Sequence, residues 1–229
     1  MAVDMKKLAG EKAAEYVKDG MVLGLGTGST AYHMVNAVGE LVKKGYNLKA
    51  IPTSNATEAQ ARELGIPLLS IDEVTHIDLA MDGVDEIDPE FNAIKGGGGA
   101  LYREKVVATL ADEVIWIMDE SKNVEHIGDF HLPIEVAKYG SKQAFAKMEA
   151  FGWKPVMRER DGELFVTDNG NYIADLHLGA GFDIQDVKEK IGTIVGVLEH
   201  GLFLNMCKRI IIGHSDGTVE VVENENCAK

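Results

Sequence analysis

Met21-Val22-Leu23-Gly24-Leu25-Gly26-Thr27-Gly28-Ser29-Thr30 is the stretch that decides the fold. A short apolar strand, residues 21–25, runs into a loop of glycines and hydroxyls, and a helical segment follows over about 30–44. A strand that turns over glycines into a helix is the opening unit of a parallel α/β sheet. Backbone N–H groups at such a helix start favour an anion, and the hydroxyls of Thr27, Ser29 and Thr30 add donors beside Gly28. A tight turn with a Ser/Thr cap is the plainer reading of the same residues. The kind of anion is constrained. A dinucleotide fingerprint wants glycine where Ser29 stands and an acid after the next strand, where Thr53 and Ser54 occur. The nucleotide P-loop wants a lysine before the final hydroxyl, and Ser29 is there instead. A small phosphate ester fits better than either.

Working outward, residues 4–18 carry Met5, Leu8, Ala9, Ala13, Tyr16 and Val17 at helical spacing, and Asp19-Gly20 ends that helix. Residues 48–53 read as a second strand and 54–64 as a second helix capped by Ser54 or Asn55. Residues 66–69, 77–81 and 113–118 read as further strands, with a helix through about residue 110. This alternation predicts an α/β fold, a mostly parallel sheet with helices on both faces. From about residue 130 the character changes. A helix over 141–151 precedes strands at 154–159, 164–167 and 172–176, with Asp161-Gly162 and Asn169-Gly170 as tight turns between them. A helix over 183–191 and a strand over 194–198 complete a smaller α+β lobe. Strands at 202–204 and 209–212 are expected to rejoin the first sheet. The expected division is residues 1–129 with 201–229, and residues 130–200.

The totals exclude several functions. Lys and Arg number 23 against 37 Asp and Glu, a net charge of −14. So acidic a surface repels nucleic acid and anionic lipid, so neither is expected as a partner. The two cysteines, Cys207 and Cys227, imply no disulfide framework and fit a reducing cytoplasm. The first residues lack the apolar core of a signal peptide, and no apolar run approaches the roughly 20 residues of a membrane helix. No CxxC, HxH or HExxH spacing marks a metal site, and the seven histidines read as structural.

Three other stretches carry chemistry. Met81-Asp82-Gly83-Val84-Asp85-Glu86-Ile87-Asp88 follows a strand end, where ligand crevices of α/β sheets lie, so Asp82 and Asp85 could hold sugar hydroxyls. A solvated acidic turn is the alternative. Val84 makes a calcium loop a poor fit. Lys95-Gly96-Gly97-Gly98-Gly99 then joins a cation to a row of N–H groups that a ligand can approach closely. A flexible surface loop is the alternative, although ordinary linkers mix glycine with serine and other polar residues. The helix that follows carries Glu104 on a stripe with Leu101, Ala108 and Ala111. A base, an ammonium and amide donors within a dozen residues suit a reaction that takes a proton from carbon and holds the resulting oxyanion. Arg103 lies on an equally apolar stripe, so periodicity does not choose between the two. Lys122, after the strand end at Asp119, could reach a phosphate, and Lys6 is a weaker candidate of that kind.

In this order and spacing, Gly26-Thr27-Gly28-Ser29-Thr30, Asp82-Gly83-Val84-Asp85-Glu86, Lys95 to Leu101 with Arg103-Glu104-Lys105, and Ser121-Lys122 resemble the ribose-5-phosphate isomerase family, type A. Thr167-Asp168-Asn169-Gly170-Asn171 and Gly196 to Phe203 extend the likeness over nearly the whole chain. The resemblance implies a Rossmann-like domain with a smaller α+β lobe, assembled as a homodimer or homotetramer, and an isomerase that uses no cofactor and no metal. It implies Glu104 as the base that moves a proton between C1 and C2 of a pentose 5-phosphate. Lys95 and the amides of Gly96, Gly97 and Gly98 would hold the enediolate oxygen. Asp82 and Asp85, with Gly83 and Val84 between them, would contact the sugar, and Thr27 to Thr30 and Lys122 would lie around the substrate, mostly at its phosphate. Val84, His131 and Val195 depart from the family's usual residues at those places, and none removes a group the chemistry needs. The rival readings are a non-catalytic sugar-phosphate sensor, for which no DNA-reading segment is present, and a nucleotide-dependent oxidoreductase, disfavoured by Ser29.

Overall fold

The computed structural model describes residues 3–227. The chain begins α1 (Met5–Ala14), β1 (Val22–Leu25), α2 (Ser29–Lys43), β2 (Lys49–Pro52), α3 (Asn55–Glu63), β3 (Ile77–Gly83), β4 (Glu86–Ile87) and β5 (Asn92–Ile94). It continues with α4 (Leu101–Leu110), β6 (Ala111–Asp119), β7 (Leu132–Val136), α5 (Ser141–Ala150), β8 (Pro155–Met157), β9 (Glu159–Arg160) and β10 (Glu163–Leu164). The last elements are β11 (Tyr172–Leu176), α6 (Ile184–Gly192), β12 (Val197–His200), β13 (Leu202–Leu204), β14 (Arg209–Gly213) and β15 (Val219–Glu223). They form two compact units, one of residues 1–84, 103–123 and 205–229, the other of 85–102 and 124–204. Among the described residues no helix is long and apolar enough to cross a membrane.

The first unit is built on a six-stranded sheet in the order β15-β14-β6-β3-β1-β2. Every pair in it is parallel except the β14–β15 edge hairpin. Side chains alternate along β1, and this places the helices. Leu23 and Leu25 are fully buried in a core with Ala9 and Ala13 of α1 and Ala31, Met34, Val35 and Val38 of α2. Gly24, pointing the other way, is overlain by Val107 of α4. Helices therefore cover both faces, as the strand–helix alternation predicts. Such double cover explains the continuous apolar runs of β3 and β6.

The second unit holds a four-stranded antiparallel sheet, β12-β7-β11-β8, and a three-stranded one, β13-β5-β4. Leu132, Ile134 and Val136 of β7 face a core shared with Met148 of α5 and Val187 and Ile191 of α6. The intervening Glu135 points to the opposite side, as does Asp175 of β11, which is paired in register with Pro133.

Several expectations are corrected. The first helix stops at Ala14, because Tyr16 and Val17 donate to Ala13 and Ala14 and tighten the last turn. Residues 66–69 contribute only an isolated bridge, Ala50 with Leu68. Leu202–Leu204 does not rejoin the first sheet; it pairs antiparallel with Asn92–Ile94. Asp161-Gly162 does turn a hairpin, with φ of 55° and 81° as a two-residue primed turn requires. The strand at 164–167 ends at Leu164, and Asn169-Gly170 sits in a turn closed by Thr167 and Asn171.

Candidate active site

In the first unit the site starts from Gly26. A Cβ there would lie 2.5 Å from the Cα of Asp82 and closer still to its carboxylate, so only glycine lets these two strand ends meet. Asp82, 4% exposed, then accepts from the N–H groups of Thr27 at 2.9 Å and Gly83 at 2.7 Å. Val84 beside it is buried. The Thr27 hydroxyl sits 2.7 Å from that of Thr53 and 2.9 Å from that of Ser54, and the Thr57 hydroxyl donates to the Gly26 carbonyl at 2.9 Å. No sequence motif marks this hydroxyl platform. Its one local signal is Ser54 capping α3 through the Thr57 N–H.

Gly28, with φ of 111°, is the N-cap of α2 and offers no side-chain cap. The N–H groups of Ser29, Thr30 and Ala31 have no acceptor among the described residues. The helix start is thus an open row of donors with the positive end of the helix dipole behind it. Lys6 places its Nζ 3.0 Å from the Ser29 hydroxyl, so the weaker lysine candidate stands at this loop. Lys122 is half-buried in a single helical turn, Glu120–Lys122, capped by Asp119.

Packing decides what periodicity left open on α4. Leu101, Glu104, Val107 and Ala108 form its buried stripe, with Glu104 only 4% exposed. Arg103 is half-buried and donates to the Asn55 side-chain oxygen at 2.9 Å. A carboxylate held out of water on a helix is a proton acceptor with few competing solvent contacts.

The second unit holds Asp85, Lys95 and the glycine run. Lys95 is 2% exposed, anchored by its N–H to the Gly201 carbonyl at 2.9 Å, with its Nζ 5.3 Å from the centre of the Phe203 ring. Gly96 and Gly99 have φ of 98° and 88°, and the Gly99 N–H closes the turn on the Gly96 carbonyl at 2.9 Å. Gly97 donates its N–H to Asp85 Oδ2 at 2.7 Å, and a Cβ on it would lie 2.6 Å from Oδ1 of the same carboxylate. The run is therefore one ordered turn, with left-handed backbone at Gly96 and Gly99 and Gly97 packed against Asp85, and the surface-linker alternative falls. An ammonium out of water and fixed N–H groups are what stabilises a developing oxyanion. Sequence reading missed Arg158, whose Nη1 donates to the carbonyls of Gly96 and Gly97. No motif marks an arginine this distant in the chain.

His76, Asp78 and Asp112 bring ligand-type atoms within 4.8 Å of one another. They lie at the amino ends of β3 and β6, the opposite end of the sheet from Asp82. Both cysteines are free.

The family model described as Ribose 5-phosphate isomerase A (phosphoriboisomerase A) matches residues 49–217. The chain is 52% identical over 221 residues to a protein of Streptococcus gordonii named Ribose-5-phosphate isomerase A, covering 96% of this chain and 98% of that one. Among solved structures, ribose 5-phosphate isomerase from Plasmodium falciparum is 39% identical with a TM-score of 0.92, covering 96% of this chain and 98% of that one. A D-ribose-5-phosphate isomerase solved in complex with phospho-erythronic acid is 36% identical with a TM-score of 0.91, over 98% and 100% of the two chains.

Proposed function

Because the chain belongs to the ribose 5-phosphate isomerase A family, we infer that it interconverts ribose 5-phosphate and ribulose 5-phosphate, with Glu104 as the base. From the aldose side, Glu104 takes the proton from C2, and the electron pair left behind forms the C1–C2 double bond of an enediolate. The same carboxyl returns the proton to C1, while the C2 hydroxyl proton passes to O1 and leaves a ketone at C2. The difficulty is carbon acidity, and a positioned base contributes about 10²–10⁴-fold. Lys95 and the open Gly98 N–H of the glycine run stabilise the enediolate oxygen, a term worth about 10²–10³-fold per well-placed donor. Asp82 and Asp85 hold sugar hydroxyls and assist ring opening. The open N–H groups of residues 29–31, with Lys6 and Lys122, hold the phosphate against the −14 charge of the chain.

The observation that carries this reading is the burial of Glu104 on the first turn of the helix that leaves the glycine run. Glu104→Gln should keep the fold and the affinity for ribose 5-phosphate and lose nearly all turnover. Activity within tenfold of wild type would remove Glu104 from the role. The sensor reading is not favoured by relatives that are named isomerases along their whole length. A homodimer or homotetramer, and a place in the cytoplasm, complete the proposal. The resemblance to the family supports the assembly.

A further inference from the structure

Arg158 follows β8, and its backbone is pinned on both sides. Its N–H donates to the Ile173 carbonyl, and its own carbonyl accepts from Phe165, each at 2.9 Å. The side chain is 10% exposed. Nε and Nη2 grip the two oxygens of Asp175 at 2.8 and 2.5 Å, a forked ion pair. The remaining nitrogen, Nη1, donates to the Gly96 carbonyl at 2.9 Å and to the Gly97 carbonyl at 3.0 Å. His131 Nε2 stands 3.3 Å from Nη2 and 3.4 Å from Asp175 Oδ1. Burial pushes the His131 imidazole below its ordinary value, so at pH 7 it is neutral and leaves the Asp175 charge to Arg158.

The consequence follows from peptide geometry. A peptide unit is planar and trans, so fixing a carbonyl fixes the next N–H, pointing the opposite way. Holding the Gly96 carbonyl aims the Gly97 N–H, which is the one donating to Asp85 Oδ2. Holding the Gly97 carbonyl aims the Gly98 N–H, which has no acceptor among the described residues and lies on an exposed residue. Glycines left alone would rotate these units freely, since each carries the largest backbone entropy of any residue. One guanidinium thus sets both a carboxylate and an open donor.

We propose that Arg158, oriented by Asp175, is a positioning residue for the isomerisation. It locks the 96–97 and 97–98 peptide units so that the Gly98 N–H meets the developing enediolate oxygen while the Asp85 carboxylate meets a sugar hydroxyl, in one fixed arrangement. The proposal rests on the role given above to the amides of the glycine run. Lysine offers a point charge and cannot reproduce a fork to Asp175 together with a two-carbonyl clamp.

The test is Arg158→Lys, with kcat and KM for ribose 5-phosphate and the affinity for phospho-erythronic acid measured on folded protein. That acid carries a carboxylate where the enediolate oxygens would form. The expected result is a kcat at least 30-fold lower with KM within threefold, and phospho-erythronate affinity falling in parallel with kcat/KM. A purely structural arginine would lower the melting temperature and leave those three values near wild type, and that outcome overturns the proposal. Should Arg158→Lys not fold, Asp175→Asn keeps the volume, loosens the same fork and is read the same way. If wild type itself binds phospho-erythronate no more tightly than ribose 5-phosphate, the oxyanion role of the glycine run fails, and this proposal with it. If wild type discriminates and the variants discriminate equally, only the role of Arg158 fails.

Discussion

Gly26→Ala isolates the claim that a missing side chain lets the two loops of the first unit meet. The new Cβ would stand 2.5 Å from Asp82 Cα, about 1 Å inside ordinary van der Waals contact. Because part of the clash is with backbone, no rotamer of Asp82 relieves it, and the ends of β1 and β3 must move apart. Overpacking of this kind costs about 1–3 kcal/mol. The charge-assisted bond from the Thr27 N–H to Asp82 is lost as well, for about another 1.5–3 kcal/mol. The total is roughly 2.5–6 kcal/mol, which for a chain of this size lowers the melting temperature by about 5–24 °C.

Gly83→Ala is the matched control. It ends β3 next to Asp82, but its Cβ would meet nothing nearer than the Thr27 carbonyl at 3.8 Å and the Ile117 carbonyl at 3.9 Å. Its cost should stay below about 1 kcal/mol, or under about 4 °C. Thermal melts followed by circular dichroism, with kcat/KM measured well below the transition, compare the two variants. Gly26→Ala should also lose activity in the protein that remains folded, because Asp82 is displaced. A Gly26→Ala protein melting within about 3 °C of wild type, or a Gly83→Ala protein destabilised as much as Gly26→Ala, would refute the steric argument.

Lys6→Ala should raise KM for ribose 5-phosphate about tenfold with kcat nearly unchanged, the signature of lost uniform binding, and steady-state kinetics separates the two parameters. The His131 value lies below 6.5 in the folded protein, chiefly through burial, so between that value and 6.5 the unfolded chain binds more protons. Its contribution to stability is therefore present above about pH 6.5 and lost as pH falls through that window. His214, raised chiefly by its hydrogen bond to Glu120, has the opposite slope, so the comparison is a difference between proteins. His131→Asn should show a shallower fall in melting temperature from pH 7 to pH 5 than wild type, measured by calorimetry.

How much could be read from the sequence depended on how far apart the interacting residues lie. The strand–glycine–helix turn at residues 21–30 is local, so its reading needs only period and loop chemistry, and the parallel sheet follows. Glu104 was nominated by the same local pattern, but its tie with Arg103 was broken by packing, which buries one and ties the other to Asn55. Leu202–Leu204 was assigned to the wrong sheet because its apolar run is compatible with either, and its partner, Asn92–Ile94, is too short to signal a strand. Arg158 lies 62 residues from the Gly96 carbonyl that it binds, and nothing in its neighbourhood marks it. The hydroxyls of Thr53, Ser54 and Thr57 look like helix-capping residues and nothing more until the fold sets them under Thr27.

Solvent exchange during turnover addresses the central chemistry most directly. Wild-type protein incubated with ribose 5-phosphate in deuterated water, without additives, is followed by proton and carbon NMR beside Glu104→Gln. The wild type should yield ribulose 5-phosphate carrying deuterium at C1, with internal return lowering the first-turnover label and repeated cycling raising it. The variant should bind the sugar phosphate and yield neither product nor label. Deuterium appearing at C1 with Glu104→Gln at a rate within tenfold of wild type, or wild-type product that never acquires solvent deuterium however long it cycles, would contradict proton transfer by this carboxylate.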